Sequence, residues 1–531
     1  MNLFTSFLFA ALTFQSLAQE DGLTIQTQQG SVEGALVIPG VRRFLGIPYA
    51  IANRWEAPQL PPSQSTTFEA TNFGDTCVQE LNAANLAFLS LSGLEGQQVQ
   101  ESENCLSVNI WAPSSDRKQS TAVMLWIYGG GFLFGTSNTI FYDGQNLVRD
   151  NDDVILVTMN YRTNIFGFPN APQLVSATNS QNFGLLDVDA AIKWVHDNIA
   201  SFGGDPNRIV LFGQSAGSGI IDAYTYTHLE DTIVKGVIEE SGSAAGQLSL
   251  TPSGQPLSPT AWNAVATTVG CGNTSTAEQF TCMQAVPFRT LENAVLSSNV
   301  SLGPIQDSTL FYWFLVPNNP ILKNPDITFP SDINARSSAG EFLKVPLLIG
   351  NTANEGDIFI IASDEASNEV EIPVLTQIAS DAVTEVGFAC PASTTANDRV
   401  KAGVPTWSFS AIFPDISSRP DLRAYHASEI PIVFGTYNSS IFGPPTAIEI
   451  AFSRYVQGAW VAFVRDPQQG LSNYGWPKYD PNTFSLAQLG NSGNSSGVVF
   501  TVGTLNDVGC ALLDTVVGLV QGIIALLGSL L

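Results

Sequence analysis

"RIVLFGQSAGSGIIDAY", Arg208 to Tyr224, passes from a β-branched apolar run to a helix-forming run within two residues, with one serine fenced by glycines at the change. A chain that turns so sharply from strand to helix leaves little room at the bend, and Gly213 and Gly217 supply that room by having no side chain. Ser215 is the residue left exposed there. The pentapeptide "GQSAG" fits the G-x-S-x-G elbow, and the strand before it and helix after it are the context that motif requires. The Ser215 hydroxyl is then expected to stand clear of the sheet. The helix N-terminus places the Ala216 amide where it can donate to a developing oxyanion. A serine that merely caps a helix is the competing reading, and the segments upstream weigh against it.

Upstream, "LWIYGGGF" ends an apolar strand in Gly129, Gly130 and Gly131. Consecutive glycines let backbone amides approach a substrate closely, so Gly130 and Gly131 can complete, with Ala216, a pocket of N–H donors for a tetrahedral intermediate. A phosphate-binding loop would need a G-K-[ST] or G-x-G-x-x-G continuation, and neither follows. A serine nucleophile also needs a base, and the chain has three histidines. His196 falls inside the helix expected before the nucleophile strand, and His228 at the far end of the helix after it; both read as structural. His426, in "LRAYHASEIPIVFG", is expected on a loop leading to an apolar strand, and it alone satisfies the order serine, acid, histidine of α/β-hydrolases. The acid that would hold its imidazole is Glu355 in "VPLLIGNTANEGDIF", just past a strand end, with Asp357 as the runner-up.

Short β-branched runs begin at Thr121, Asp153, Arg208, Gly236 and Val345 and alternate with helix-length segments. "LLDVDAAIKWVHDNIASFGG" repeats Leu186, Val188, Ala191, Ile192, Val195 and Ile199 at helical spacing. The expected fold class is α/β: one large, mostly parallel sheet flanked by helices, in a single domain from residue 19 to 531. "GLTIQTQQGSVEGAL" adds a small N-terminal hairpin. Ser249 to Thr276 and Pro481 to Ser496, rich in small and polar residues, are expected to be long surface loops.

A 531-residue chain with 44% apolar and 13% charged residues can bury a large core. Its formal charge of -26 would repel nucleic acid and anionic membrane surfaces. Residues 1–18 combine an apolar run, Leu3 to Phe14, with Ser16-Leu17-Ala18, and read as a signal peptide that directs secretion. Six cysteines, Cys77, Cys105, Cys271, Cys282, Cys390 and Cys510, suit three disulfides in an oxidising compartment, and none has C-x-x-C spacing. Asn273, Asn299, Asn438 and Asn494 head glycosylation sequons. No metal site or cofactor is expected. The apolar C-terminus, Val516 to Leu531, is short for a spanning helix and leaves three readings: a docked helix, a segment touching lipid or another subunit, or a GPI-attachment tail. An oligomer stays open.

Taken together, these segments resemble the type-B carboxylesterase/lipase family, which includes secreted fungal lipases and the cholinesterases. The resemblance is carried by "FLGIPYA" at Phe44, "SENCLSVNIW" at Ser102, "IYGGGF" at Ile127, "NYR" at Asn160, "NFGLLD" at Asn182, "FGGDP" at Phe202, "GQSAGSG" at Gly213, "EESGS" at Glu239, "NEGDIF" at Asn354 and "HASEIPIVFG" at His426. It implies an α/β-hydrolase fold, a glutamate-then-glycine acid at Glu355 and Gly356, and His426 as the base before an E-I-P turn. It implies the bridges Cys77–Cys105, Cys271–Cys282 and Cys390–Cys510. The first would close a loop of 27 residues, Val78 to Asn104, which in lipases of this family acts as a lid. Here that loop holds "LNAANLAFLSLSGL", apolar enough to face the cleft or a lipid surface.

Asn104 stands where the family usually has aspartate, which would alter a local hydrogen bond rather than the chemistry. Cholinesterases hold a quaternary ammonium with a tryptophan in this loop; Val78 to Ser102 contains none, which disfavours that activity. The expected function is hydrolysis of carboxylic esters through an acyl-enzyme, with an apolar or long-chain ester as substrate. The alternatives are an esterase of small soluble esters and a catalytically silent adhesion relative.

Overall fold

The computed structural model describes residues 22–94, 100–175, 180–246, 258–306, 327–367, 373–412, 419–437, 444–490, 497–506 and 510. Its strands are β1 Thr24–Thr27, β2 Gly30–Glu33, β3 Ala35–Ile38, β4 Val41–Pro48, β5 Phe68–Glu69, β6 Ser107–Pro113, β7 Thr121–Ile127, β8 Val154–Met159, β9 Gly204–Gln214, β10 Val234–Glu240, β11 Leu347–Thr352, β12 Thr406–Ala411, β13 Phe484–Leu489 and β14 Val498–Val502. Eleven of them form one sheet in the order β14-β13-β12-β11-β10-β9-β7-β8-β6-β4-β3. From β8 to β13 every pairing is parallel, while β3, β4, β6 and β14 join antiparallel at the flanks. β1 and β2 make the N-terminal hairpin, and β5 extends it to a three-stranded sheet.

The central strands are buried on both faces, which is why they carry unbroken apolar runs rather than alternation. Every residue of β7, β8 and β11 is buried. At about 1.5–3 kcal/mol for each fully buried Val, Ile or Leu, these strands are the main source of cohesion. Helix α1 spans Ala83–Ser92, α2 Phe183–Asn198, α3 Ala216–Thr227 and α4 Gly356–Ser367. α2 buries Phe183, Val188, Ala191, Ile192 and Val195 at helical spacing. Its Asp187 lies among them because Arg162 donates to it three times, from its guanidinium at 2.8 and 2.7 Å and from its backbone N–H at 3.0 Å.

The two stretches expected to be loops contain regular structure. Pro259–Thr268 is a helix that buries Trp262, Val265 and Ala266, a three-to-four spacing hidden among threonines. Phe484–Leu489 is a strand held between β12 and β14, so its hydrogen bonds come from distant partners. After His426, "IPIVF" is not a strand: Ile430–Phe434 forms a short helix with Pro431 in its first turn and Gly435, at φ 71°, ending it.

Disulfides join Cys77 to Cys105, Cys271 to Cys282 and Cys390 to Cys510, the pairs implied by the resemblance. Asn104 is exposed, and its neighbour Glu103 pairs with Arg54. Asn273 and Asn299 are exposed, whereas Asn438, Asn494, residues 1–18 and Val516 to Leu531 lie outside the described residues. Among the described residues, no helix is long and apolar enough to cross a membrane.

α3 crosses β7 so closely that a Cβ on Gly217 would come 2.1 Å from the Ile127 carbonyl oxygen. Gly217→Ala should therefore destabilise the protein by about 1–3 kcal/mol, seen as a lower urea midpoint; an unchanged midpoint would mean the approach is looser than this.

Glu80, at the root of the Cys77–Cys105 loop, is buried, and burial pushes its carboxyl up to about 7. Between the ordinary carboxyl range and about 7 the folded chain binds more protons than the unfolded one, so stability falls as pH rises through that window. Glu80→Gln should flatten that fall by on the order of 2–3 kcal/mol, measured by urea unfolding at about pH 5 and about pH 8.

Candidate active site

The parallel strands end on one edge of the sheet, and their C-terminal turns carry the candidate residues, where open α/β sheets usually bind ligands. In register, Gln214 of β9 faces Glu240 of β10, and Glu240 faces Gly350 of β11. Ser215 follows β9 at φ 57°, ψ −125°, a conformation that β-strand and helix both exclude. Its N–H donates to the Glu240 carbonyl at 2.8 Å, and its own carbonyl accepts from the Gly219 N–H at 2.9 Å. These two bonds lock the elbow between strand and helix.

The glycine loop after β7 lies directly against that elbow. A Cβ on Gly129 would be 2.7 Å from the Ser215 Cβ. Gly130 and Gly131 have φ of 106° and 61°, in the left-handed region that favours glycine. Beyond the Gly131 Cα no described heavy atom would lie within 4 Å of a Cβ, so its backbone is open to close approach.

Glu355 sits in the turn after β11. The Thr352 N–H donates to its Oε1 at 2.6 Å, and its Oε2 accepts from His426 Nδ1 at 2.5 Å. Glycine follows because a Cβ on Gly356 would be 2.1 Å from the Ser380 carbonyl. Glu355 and His426 are both fully buried, so this charge-assisted bond is shielded from water. With Nδ1–H donated, the imidazole Nε2 presents its lone pair, and in this structure it accepts from the Gln214 side-chain amide at 3.0 Å. The structure thus brings Glu355 and His426 into contact and sets the latter beside the residue that precedes Ser215.

Asp357 points elsewhere. Arg423 donates to both its carboxylate oxygens, each at 2.7 Å, and Ser380 Oγ donates as well. His196 bonds Asp197 at the end of α2, and His228 stacks on Tyr224 with ring centroids 3.9 Å apart.

Several neighbours were not singled out from the sequence. Phe388, Phe359 and Phe88 pack around the His426 ring, with centroids 4.7, 4.9 and 6.3 Å away. Phe88 belongs to α1, so the disulfide-closed loop reaches the imidazole. Glu240 accepts from Trp460 Nε1 at 2.6 Å, and burial pushes its carboxyl up to about 8. Burial, together with the nearby Glu240 and Glu355, pushes the Glu429 carboxyl well above the usual range. Burial thus favours the neutral form of both acids in the surroundings of Glu355. Among the described residues, one cluster has metal-ligand spacing, Glu385 with Cys390 and Cys510, but both sulfurs are committed to their disulfide.

The chain is 32% identical over 474 residues to secreted lipase 5 of Gibberella zeae, spanning 85% of this chain and 86% of that protein. It is 30% identical over 504 residues to chlorogenic acid esterase of Aspergillus niger, spanning 89% and 91%. A solved structure of PNB esterase, 26% identical, superposes with a TM-score of 0.71 over 90% of this chain and 97% of that one. Residues 21–374 and 373–500 match the profile of the carboxylesterase family. With the matched residues extending over most of its length, the chain belongs to the carboxylesterase family and is a carboxylic ester hydrolase.

Proposed function

We propose that this carboxylesterase is secreted and works through an acyl-enzyme on apolar, long-chain esters, with Ser215, His426 and Glu355 as its catalytic set. The observation that carries the reading is the buried Glu355–His426 bond beside a strained serine elbow. Ser215 Oγ attacks the ester carbonyl while His426 Nε2, once it leaves Gln214, accepts the proton. The amides of Gly130, Gly131 and Ala216 hold the oxyanion. His426 then protonates the leaving alcohol, and water repeats the sequence on the acyl-enzyme. Glu355 stays ionised and stabilises the imidazolium.

Secretion is supported by the three disulfides and by the name of one relative, a secreted lipase. A hydrophobic substrate is supported by the phenylalanines around His426, since the leaving alcohol must lie close to that ring. α1 packs with Phe88, Leu89 and Leu91 against Phe134 and Phe359, so the loop covers the site as a lid would. A lid of this kind offers apolar area to a lipid interface when it opens.

Ser215→Ala should lower p-nitrophenyl ester turnover by roughly 10⁴-fold or more and abolish fluorophosphonate labelling. Labelling that persists would place the nucleophile elsewhere, and a parent chain that never reacts would favour the adhesion class. Rates for esters of increasing acyl length, measured on both sides of each solubility limit, should rise sharply once an interface forms; a flat profile with a preference for short acyl groups would instead indicate an esterase of soluble esters.

A further inference from the structure

His426 is reached by a segment in unfavourable backbone conformations. Arg423 has φ 50°, ψ −135°, and Ala427 has φ 76°, so non-glycine residues in the left-handed half of the map bracket the histidine. Each such residue costs on the order of 1–3 kcal/mol and persists only where its surroundings over-determine it. Two contacts tie this segment to the turn that carries the acid. The Asn354 N–H donates to the Ala424 carbonyl at 3.0 Å, and Arg423 makes its two-pronged bond with Asp357. Asp357 is 6% exposed at its side chain, stands in the first turn of α4 and takes a further bond from Ser380. The carboxylate is thus also held by a residue of a neighbouring helix.

From this geometry we infer that Asp357 and Arg423 are a positioning pair for the catalytic base, an inference that rests on the assignment of Glu355 and His426 above. The two pairs nest in chain order: Glu355 and Asp357 leave the acid turn two positions apart, and their partners His426 and Arg423 sit on the facing loop three positions apart, Arg423 first. Two parallel contacts, one catalytic and one ionic, therefore set the distance and the angle between the same two segments. The Glu355 bond, the Gln214 amide and the packed phenylalanines hold the imidazole itself; the planar, two-pronged Arg423 bond holds the strained backbone segment from which His426 projects. Arg419 also joins the loop to α4, through Glu365 at 3.0 Å, with both side chains at least 40% exposed; Arg423 is 41% exposed too, but its carboxylate partner is only 6% exposed, which shields that pair more than an exposed one.

The test compares the full-length parent with Arg423→Met, Arg423→Lys and the charge-conserving double variant Asp357→Asn/Arg423→Met, with a short soluble p-nitrophenyl ester as substrate. kcat should fall about 10- to 100-fold in Arg423→Met and in the double variant, while KM changes by less than about threefold. Arg423→Lys should recover part of the loss. In the double variant the acid limb of kcat/KM should move to lower pH, because an imidazolium that has lost its grip on Glu355 gives up its proton more readily. Guanidinium ion added to Arg423→Ala should raise its kcat, and Arg419→Met should keep parent kinetics. kcat within about twofold of the parent in folded variants, or a fall that follows the unfolded fraction and is not rescued by guanidinium, overturns the inference. Glu355→Gln run in parallel separates the two assignments. Parent activity in that variant would remove the catalytic assignment itself, whereas severe loss there with parent rates in Arg423→Met removes only the positioning pair.

Discussion

The contact between His426 Nδ1 and Glu355 Oε2 is the constraint to which the rest of the site is fitted. A carboxylate and an imidazole removed from water each carry a large desolvation cost, and only a short, well-aligned bond between them offsets it. The surroundings make that bond available in one geometry. Thr352 occupies the other oxygen of Glu355, phenylalanine rings pack around the imidazole, and Gln214 meets the remaining nitrogen. The ring is thus anchored on its Glu355 side, while Nε2 has only the Gln214 amide to give up before it can take a proton in the proposed mechanism.

The sheet supplies the other half of this precision. Ser215, the glycine loop, Glu355 and the loop of His426 all follow the C-terminal ends of strands that run parallel, so their positions are tied to the register of β7, β9, β10, β11 and β12. Glycines appear where backbones approach too closely for a Cβ, at Gly217 against Ile127 and at Gly356 against Ser380. The same physical reason thus explains the glycine two positions after Ser215 and the glycine directly after Glu355. Burial also pushes the carboxyls of the nearby Glu240 and Glu429 upward, toward their neutral form.

Much of this was legible because its causes are local. A strand-to-helix bend that exposes a serine has to be fenced by glycines, and β7, β8 and β11, buried on both faces, have to be continuously apolar. What escaped were features whose causes lie far along the chain. Phe484–Leu489 lies in polar, loop-like sequence and becomes a strand only because β12 and β14 flank it. "IPIVF" has strand-like composition, yet the proline in its first turn and Gly435 at its end make it a helix.

By itself, then, the sequence determined the fold class, the serine elbow, the glycine loop and the histidine that fits the required order, since each depends on steric and periodic rules that act over a few residues. The resemblance already favoured Glu355 over Asp357, but only the tertiary structure shows why the two acids, two residues apart, differ in meeting His426. Glu355 and Asp357 are chemically alike, and they differ because Arg423 and Ser380, brought from other parts of the chain, take up the second and leave the first facing the imidazole.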